Sequence, residues 1–332
     1  MPHQKVPKYL IVNADDLGIS IPVNLAIRQA FRSGILTSAS LLANMPAFAH
    51  AVETVIRPNP GLGIGAHLCL TSGRPVLPPE RIPLLADARG PRFRLGFVGL
   101  WRLLRGRHGE ESLRQIRDEW TAQVDRIEAS GVAIDHLDGH QHVHMIPELF
   151  DLAAAMAWAR RVGIRVAGEP FRLRQRGPVG VLRCLTSGGI VKNLVLAGFA
   201  KANRRRWPDI LSPDHYFGAL DTGRMILDRL QSILGALSDG VTEVTAHPGL
   251  EPVPVLSQTP RSSGPTAHGA AKVPPRPSRQ DLRFLRRREA AEELAALLDP
   301  SLRGMLAREG GKLIRFRDIP DCRSSASRAL AE

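Results

Sequence analysis

The stretch KYLIVNADDLG, Lys8–Gly18, sets an unbroken apolar run against two adjacent carboxylates, Asp15 and Asp16, and a glycine. A run of Tyr, Leu, Ile and Val without polar alternation is the pattern of a strand buried on both faces, as in a parallel sheet covered by helices. The next fifteen residues or so support that reading. In SIPVNLAIRQAFRSG, Ser20 suits the N-cap, Pro22 the first turn and Gly34 the exit, while Val23, Ala26, Ile27, Ala30 and Phe31 share one helical face. A strand succeeded by a helix that covers it is the unit from which parallel α/β folds are built.

The unit recurs. Strands are expected at Thr37–Ala43, Gly61–Leu70, Gly131–Gln141, Ile164–Gly168, around HYFGAL (His215–Leu220), at Val241–His247 and at Lys312–Ile319. Helices are expected at Phe48–Arg57, Glu110–Ser130, Pro147–Val162, Arg224–Leu237 and Asp281–Leu298. Seven or eight such units predict a (β/α) barrel, complete or distorted. The expected organisation is a single catalytic domain over residues 1–332. Pro252–Ser278, rich in Pro, Ser, Gly and Ala, interrupts it as an insertion of linker composition.

Composition narrows the function. A hydrophobic content of 43% fits a packed core, and no apolar run reaches the ~18–20 residues of a bilayer span. No signal-peptide core precedes the first strand, so a cytoplasmic location is expected, with peripheral contact at the inner membrane face as an extension. Cys69, Cys184 and Cys322 lack CxxC spacing, which leaves histidine and carboxylate to hold any metal. The formal charge of +13 invites a polyanion, yet aromatics are only 5% and offer no base-stacking platform, so no nucleic-acid partner is expected. Arg172–Trp207 mixes arginines with the apolar run GGIVKNLVLAGFA. It reads first as a barrel helix with basic flanks and second as a contact with an anionic membrane.

In parallel α/β folds, functional groups sit at the C-terminal ends of strands. Asp15 and Asp16 end the first expected strand, His67 lies near the end of the third, His140 ends the fourth and His247 ends a late one. Four separate strand ends thus offer ligating or titrating groups to one rim. In HLDGHQHVHMIP, His136 to Pro147, the residues His136, Asp138, His140, His142 and His144 would share a face if the strand continued. One divalent ion cannot use them all. With the strand ending near Gly139–His140, His140 is the best-placed ligand, and His142 or His144 are alternatives or substrate contacts. Two imidazoles and a carboxylate form a three-ligand set with open positions, as in zinc hydrolases. Adjacent aspartates suit a division of labour in which one binds metal and the other accepts a proton. Each residue also has a bland reading: a capping turn for the aspartates, a structural role for His67, a plain turn for HPG at His247.

LIVNADDLGIS, VNLAI, LTSASLLANMPAF, GIGAHLCLTSGRPVLP, HLDGHQHVHMIPELF and HPG, in that order, resemble the YdjC-like carbohydrate deacetylases, including their hopanoid-biosynthesis-associated branch. The closing LLDPSLRGMLAREGGKLIRFRDI also resembles the end of that family. The resemblance implies a distorted barrel of the polysaccharide-deacetylase type and removal of acetyl from an N-acetylated amino sugar, on an oligosaccharide or a lipid-linked glycan. It implies one divalent metal ion, Mg2+ or Zn2+, on Asp16, His67 and His140. Asp15 would be the base, His247 the acid, and Asp138, His142, His144 and Asp214 substrate or supporting residues. The chain departs from the family pattern at Leu17, where phenylalanine is common, at Gly139, where serine or asparagine is common, and at Gln141.

Overall fold

A computed structural model describes residues 7–87, 90, 92–170, 189–250 and 288–320. Pro252–Ser278 and the first part of Arg172–Trp207 lie outside these residues. Among them, eight strands form one parallel sheet: β1 (Lys8–Leu17), β2 (Ser38–Leu41), β3 (Gly63–Leu68), β4 (His136–Gly139), β5 (Gly163–Ile164), β6 (His215–Phe217), β7 (Gly240–Ala246) and β8 (Gly311–Leu313). The spatial order is β5-β4-β3-β2-β1-β7-β6, with β8 paired to the first residues of β1. The sheet curls towards a barrel whose ends, β5 and β6, are not paired as strands. A backbone hydrogen bond from the Ile164 N–H to the Leu211 carbonyl, 2.8 Å, spans the gap between them.

The helices are α1 (Ile21–Ser33), α2 (Phe48–Ala51), α3 (Phe97–Leu104), α4 (Gly109–Ala129), α5 (Pro147–Arg160), α6 (Gly189–Arg206), α7 (Leu227–Leu234), α8 (Arg288–Leu298) and α9 (Ser301–Arg308). Helix α1 starts where its sequence directs: the Ser20 hydroxyl accepts the Val23 N–H, and the Gly34 N–H closes the last turn on the Ala30 carbonyl. Strand alternation sorts the side chains. Leu10, Val12, Ala14, Ile64, Ala66, Leu137, Val244 and Ala246 point outward into the main core beneath the helices. The larger of these, the leucines, valines and isoleucine, contribute about 1.5–3 kcal/mol each by leaving water.

The inward-facing set is apolar at one end and polar at the other. Tyr9, Ile11, Val241, Phe316 and Ile319 plug the N-terminal end of the barrel. Asn13, Asp15, Ser40, His67, Asp138, Arg165 and Glu243 occupy the C-terminal end, all buried. Between them the His136 ring stacks on Phe316 at 3.9 Å. A methyl group on Gly65 would lie 2.2 Å from His136 Nε2, so only glycine fits beside that ring.

The closing strand differs from expectation. It spans only Gly311–Leu313, because Phe316 turns inward as part of a 3-10 turn, Phe316–Asp318. The fifth strand pairs over two residues only, since β4 ends early and its chain turns away. Helix α3, unmarked by strong caps, has no counterpart in the sequence reading.

Candidate active site

Residues in regular β alternation cannot both face inward at consecutive positions, yet Asp15 and Asp16 do. The register between β1 and β2 slips between Ala14 and Leu17, and Asp16 adopts a left-handed φ of 68°. This bulge re-aims one side chain, the usual role of a bulge beside a functional site. Asp15 then points into the barrel and Asp16 points across its rim.

Three side chains converge at that rim. Asp16 Oδ1 lies 2.9 Å from His140 Nδ1 and 3.6 Å from His67 Nε2, and all three residues are buried. No aligned hydrogen-bond donor reaches this Asp16 oxygen. A buried carboxylate oxygen left so, with two imidazole nitrogens this close, fits a cation better than it fits hydrogen bonding. One carboxylate and two imidazoles with open positions fit a divalent metal.

His67 reaches this cluster in a fixed orientation. Its Nδ1 donates to Asp138 Oδ1 at 2.7 Å, which leaves Nε2 to face Asp16. Outer carboxylates commonly orient metal-binding histidines in this way. Burial alone would lower the His67 pKa, but Asp138, then Asp15 and Asp16, raise it to about 9. Burial would raise the Asp16 carboxyl; the charges of His140, His67 and His247 outweigh it and hold it well below the usual carboxylate range. A second trio, Asp15, His67 and Asp138, is also close enough to be considered. There the Asp138 oxygen is already used by His67 Nδ1, and Arg165 occupies both carboxylates.

Arg165 is the residue that sequence reasoning missed. It is fully buried, and its fork touches three acids. Nη2 donates to Asp15 Oδ1 (2.9 Å), Nη1 to Asp15 Oδ2 (3.0 Å) and Nε to Glu243 Oε1 (2.7 Å), while Nη1 also forms an ion pair with Asp138 Oδ2 at 2.6 Å. The signal was present: an arginine within the apolar run GIRVAG must face something acidic if that run is buried. Asn13 Nδ2 donates to Asp15 Oδ1 and to Ser40 Oγ, and Ser40 Oγ donates to Asp138 Oδ2. Asp15 is therefore held at Oδ1 from two sides, while Oδ2 faces His247 Nε2 at 3.8 Å and His67 Nε2 at 3.9 Å.

The remaining histidines separate. After Gly139 the chain enters a 3-10 turn with Gln141 and His142 left-handed, at φ 56° and 58°. His144 turns back beneath the strand, with Nε2 3.1 Å from the Arg165 carbonyl. A side chain at Gly139 would lie 2.7 Å from His144 Nδ1, which accounts for the glycine found there. Burial, the largest influence, pushes His144 down to about 4. His142 packs edge-on against Tyr216, ring centroids 5.9 Å apart, and burial, before the charges of Lys192 and Arg165, holds it well below the usual range.

Asp214 is not part of this cluster. Its carboxylate accepts the Val241 N–H at 2.8 Å, tying β6 to the start of β7. Gly240, which borders it, pairs with Lys8 at the opposite end of β1 from Asp15. Seven residues of strand rise, about 23 Å, separate the two.

Comparison with known proteins agrees with this geometry. The family model for YdjC-like proteins matches residues 9–308. A carbohydrate deacetylase of Geobacillus stearothermophilus is 32% identical over 315 residues, covering 95% of this chain and 99% of that one. A chitooligosaccharide deacetylase of Yersinia enterocolitica is 37% identical over 173 residues, 52% of this chain and 64% of that one. Among solved structures, a putative cellobiose-phosphate cleavage protein of Enterococcus faecalis shares the fold at a TM-score of 0.64 and 22% identity, covering 94% of this chain and 98% of that one. A match over nearly the whole chain, on a curled parallel sheet with these side chains at its rim, places this protein in the YdjC-like family.

Proposed function

We propose that the protein is a metal-dependent deacetylase that hydrolyses the acetamide of an N-acetylated amino sugar, with the whole chain serving as one catalytic domain. The observation that carries this reading is the convergence of Asp16 Oδ1, His67 Nε2 and His140 Nδ1 beside Asp15 Oδ2. The relatives' names supply the substrate class: a carbohydrate deacetylase and chitooligosaccharide deacetylases.

A divalent cation such as Mg2+ or Zn2+, held by Asp16, His67 and His140, would polarise the acetamide carbonyl and acidify the attacking water. Asp15 takes the proton of that water at Oδ2, the oxygen that faces His67 and His247. Arg165 and Asn13 fix the carboxylate so that this oxygen cannot rotate away. His247, with its side chain at the rim, gives a proton to the departing amine nitrogen, and acetate and the free amino sugar leave. Asp138 keeps its Nδ1 contact with His67 throughout.

Acetate release from N-acetylated chitooligosaccharides, measured with and without chelator, tests the proposal. Turnover should vanish with chelator and return with Mg2+ or Zn2+. Asp15→Asn should keep the metal and lose about 100-fold or more of the turnover. Full activity in chelator, or near wild-type activity of D15N, would show the assignment to be wrong.

A further inference from the structure

Helix α6 divides its side chains sharply. Asn193, Leu196, Ala200 and Asn203 are buried against the barrel. Asn193 Nδ2 donates to the Glu169 carbonyl, and Asn203 Nδ2 to the Met145 carbonyl in the turn that begins at His140. The other face presents Val191, Leu194 and Val195 to solvent, at 66%, 64% and 41% exposure. Their i, i+3, i+4 spacing makes one apolar stripe. Helix α3 joins it, since Phe97 stacks on Phe199 of α6 with ring centroids 6.4 Å apart. One residue and one turn further along α3, Val98 and Trp101 are 57% and 39% exposed.

An exposed apolar surface rimmed by charge marks an interaction site. The charge here has one sign. Neither α3 nor α6 contains an aspartate or glutamate, while Arg102, Lys201 and Arg205 are exposed upon them. Arg105, over the Trp101 ring at 4.6 Å, and Arg206 are paired to Glu148 and Asp151 of α5. A second copy of this chain would bring the same basic helices face to face, which repulsion disfavours. An apolar stripe with basic flanks and an interfacial tryptophan suits an anionic lipid surface.

We propose that α3 and α6 form a docking face for an anionic bilayer. The face borders the rim that carries the metal-ligand cluster, since α6 is tied through Asn193 to the Glu169 carbonyl just past β5 and through Asn203 to the Met145 carbonyl in the turn that starts at His140. No helix among the described residues is long and apolar enough to cross a membrane, so the contact is peripheral.

The test is co-sedimentation of the full chain with vesicles of phosphatidylcholine alone or mixed with phosphatidylglycerol, at low and high salt. Wild type should pellet with the anionic vesicles only, and high salt should release it. The combined variant Val191→Ser/Leu194→Ser/Val195→Ser, and separately Arg102→Gln/Lys201→Gln/Arg205→Gln, should each weaken binding by about tenfold or more. Both should still release acetate from soluble chitooligosaccharide at the wild-type rate. Wild type remaining in the supernatant with anionic vesicles, or the serine variant binding like wild type, overturns the proposal. A dimer in solution that the serine variant abolishes assigns the face to a second copy and overturns it as well. Vesicle binding without any acetate release leaves the docking face standing and sinks the deacetylase reading instead.

Discussion

Replacing Arg165 by methionine tests the central electrostatic claim. The guanidinium makes four contacts of 3.0 Å or less to Asp15, Asp138 and Glu243, in a fully buried position. Methionine fills similar volume but leaves Glu243 without its cation and Asp15 and Asp138 with His67 and, for Asp15, His247. Removing one partner of a buried ion pair costs roughly 3–5 kcal/mol. Three acids share this cation, so about 5 kcal/mol is expected at neutral pH, a large part of the 5–15 kcal/mol that holds a typical domain together. The pH dependence comes from the carboxylates. Burial would raise Asp138, but Arg165 and His67 hold it well below its usual value, so in wild type it contributes stability above pH ~4 that is lost on acidification. Burial already raises Glu243, with Arg165 opposing. Without Arg165 the native Glu243 carboxyl rises further above its unfolded value and Asp138 rises from its depressed one, which shifts proton uptake towards the native state. The variant should therefore gain stability as pH falls from about 8 to about 5. Urea unfolding of chelator-treated protein at both pH values reads this directly. An Asp138→Asn change in the same background should recover part of the loss, a coupling of about 0.5–3 kcal/mol. A variant within about 1 kcal/mol of wild type at the higher pH, or a deficit independent of pH, refutes the reasoning.

Asp138→Asn alone should weaken metal affinity by about 10- to 100-fold, since the asparagine cannot match the charged partner of His67 Nδ1; competition against a chromophoric chelator measures it, and unchanged affinity means that His67 needs no such support. Gly65→Ala should destabilise by about 1–3 kcal/mol or more, because its Cβ meets the His136 ring and Phe316 blocks the ring's retreat; an unchanged melting temperature contradicts this. The Cys69 thiol, pushed by burial up to about 12, should resist Ellman's reagent in native Cys184→Ser/Cys322→Ser protein and react once the chain is unfolded. Rapid native labelling would show that the pocket opens.

The outer layer of the fold was legible because it obeys periodicity. A continuous apolar run marked β1, and the capped helix after it formed where Ser20 and Gly34 placed it. The Asp16, His67 and His140 cluster was legible because its members end different strands. What the pattern concealed was the barrel's inside. Arg165 and Glu243 each look like isolated charges in apolar strands, and only closure of the curl brings them together across 78 residues of chain. Asp214, which the resemblance implied as a substrate or supporting residue, instead precedes a strand at the other end. The bulge at Asp16 was hidden too: nothing in NADDLG distinguishes a strand end from an extra residue inserted in a strand.

The four histidines of HLDGHQHVHMIP show how such a segment can satisfy several demands at once. Strand alternation places His136 and Asp138 inward, where one ring stacks on Phe316 and the carboxylate orients His67. Had the strand continued, His140, His142 and His144 would have crowded the same face. The left-handed pair Gln141–His142 prevents this, at a backbone cost of about 1–3 kcal/mol per residue that the buried Val143, Met145 and Ile146 can hold in place. The turn swings His140 to Asp16 and returns His144 to the Arg165 carbonyl. That last contact matters for the chemistry. Arg165 fixes Asp15 and Asp138 together, and His144 fixes the backbone from which Arg165 extends. One segment therefore delivers His140 to the Asp16 cluster and, four residues later, braces the residue that holds Asp15. Loss of His144 should accordingly perturb Asp15 before it perturbs the metal, a distinction that metal affinity and acetate release measured side by side on His144→Phe would resolve.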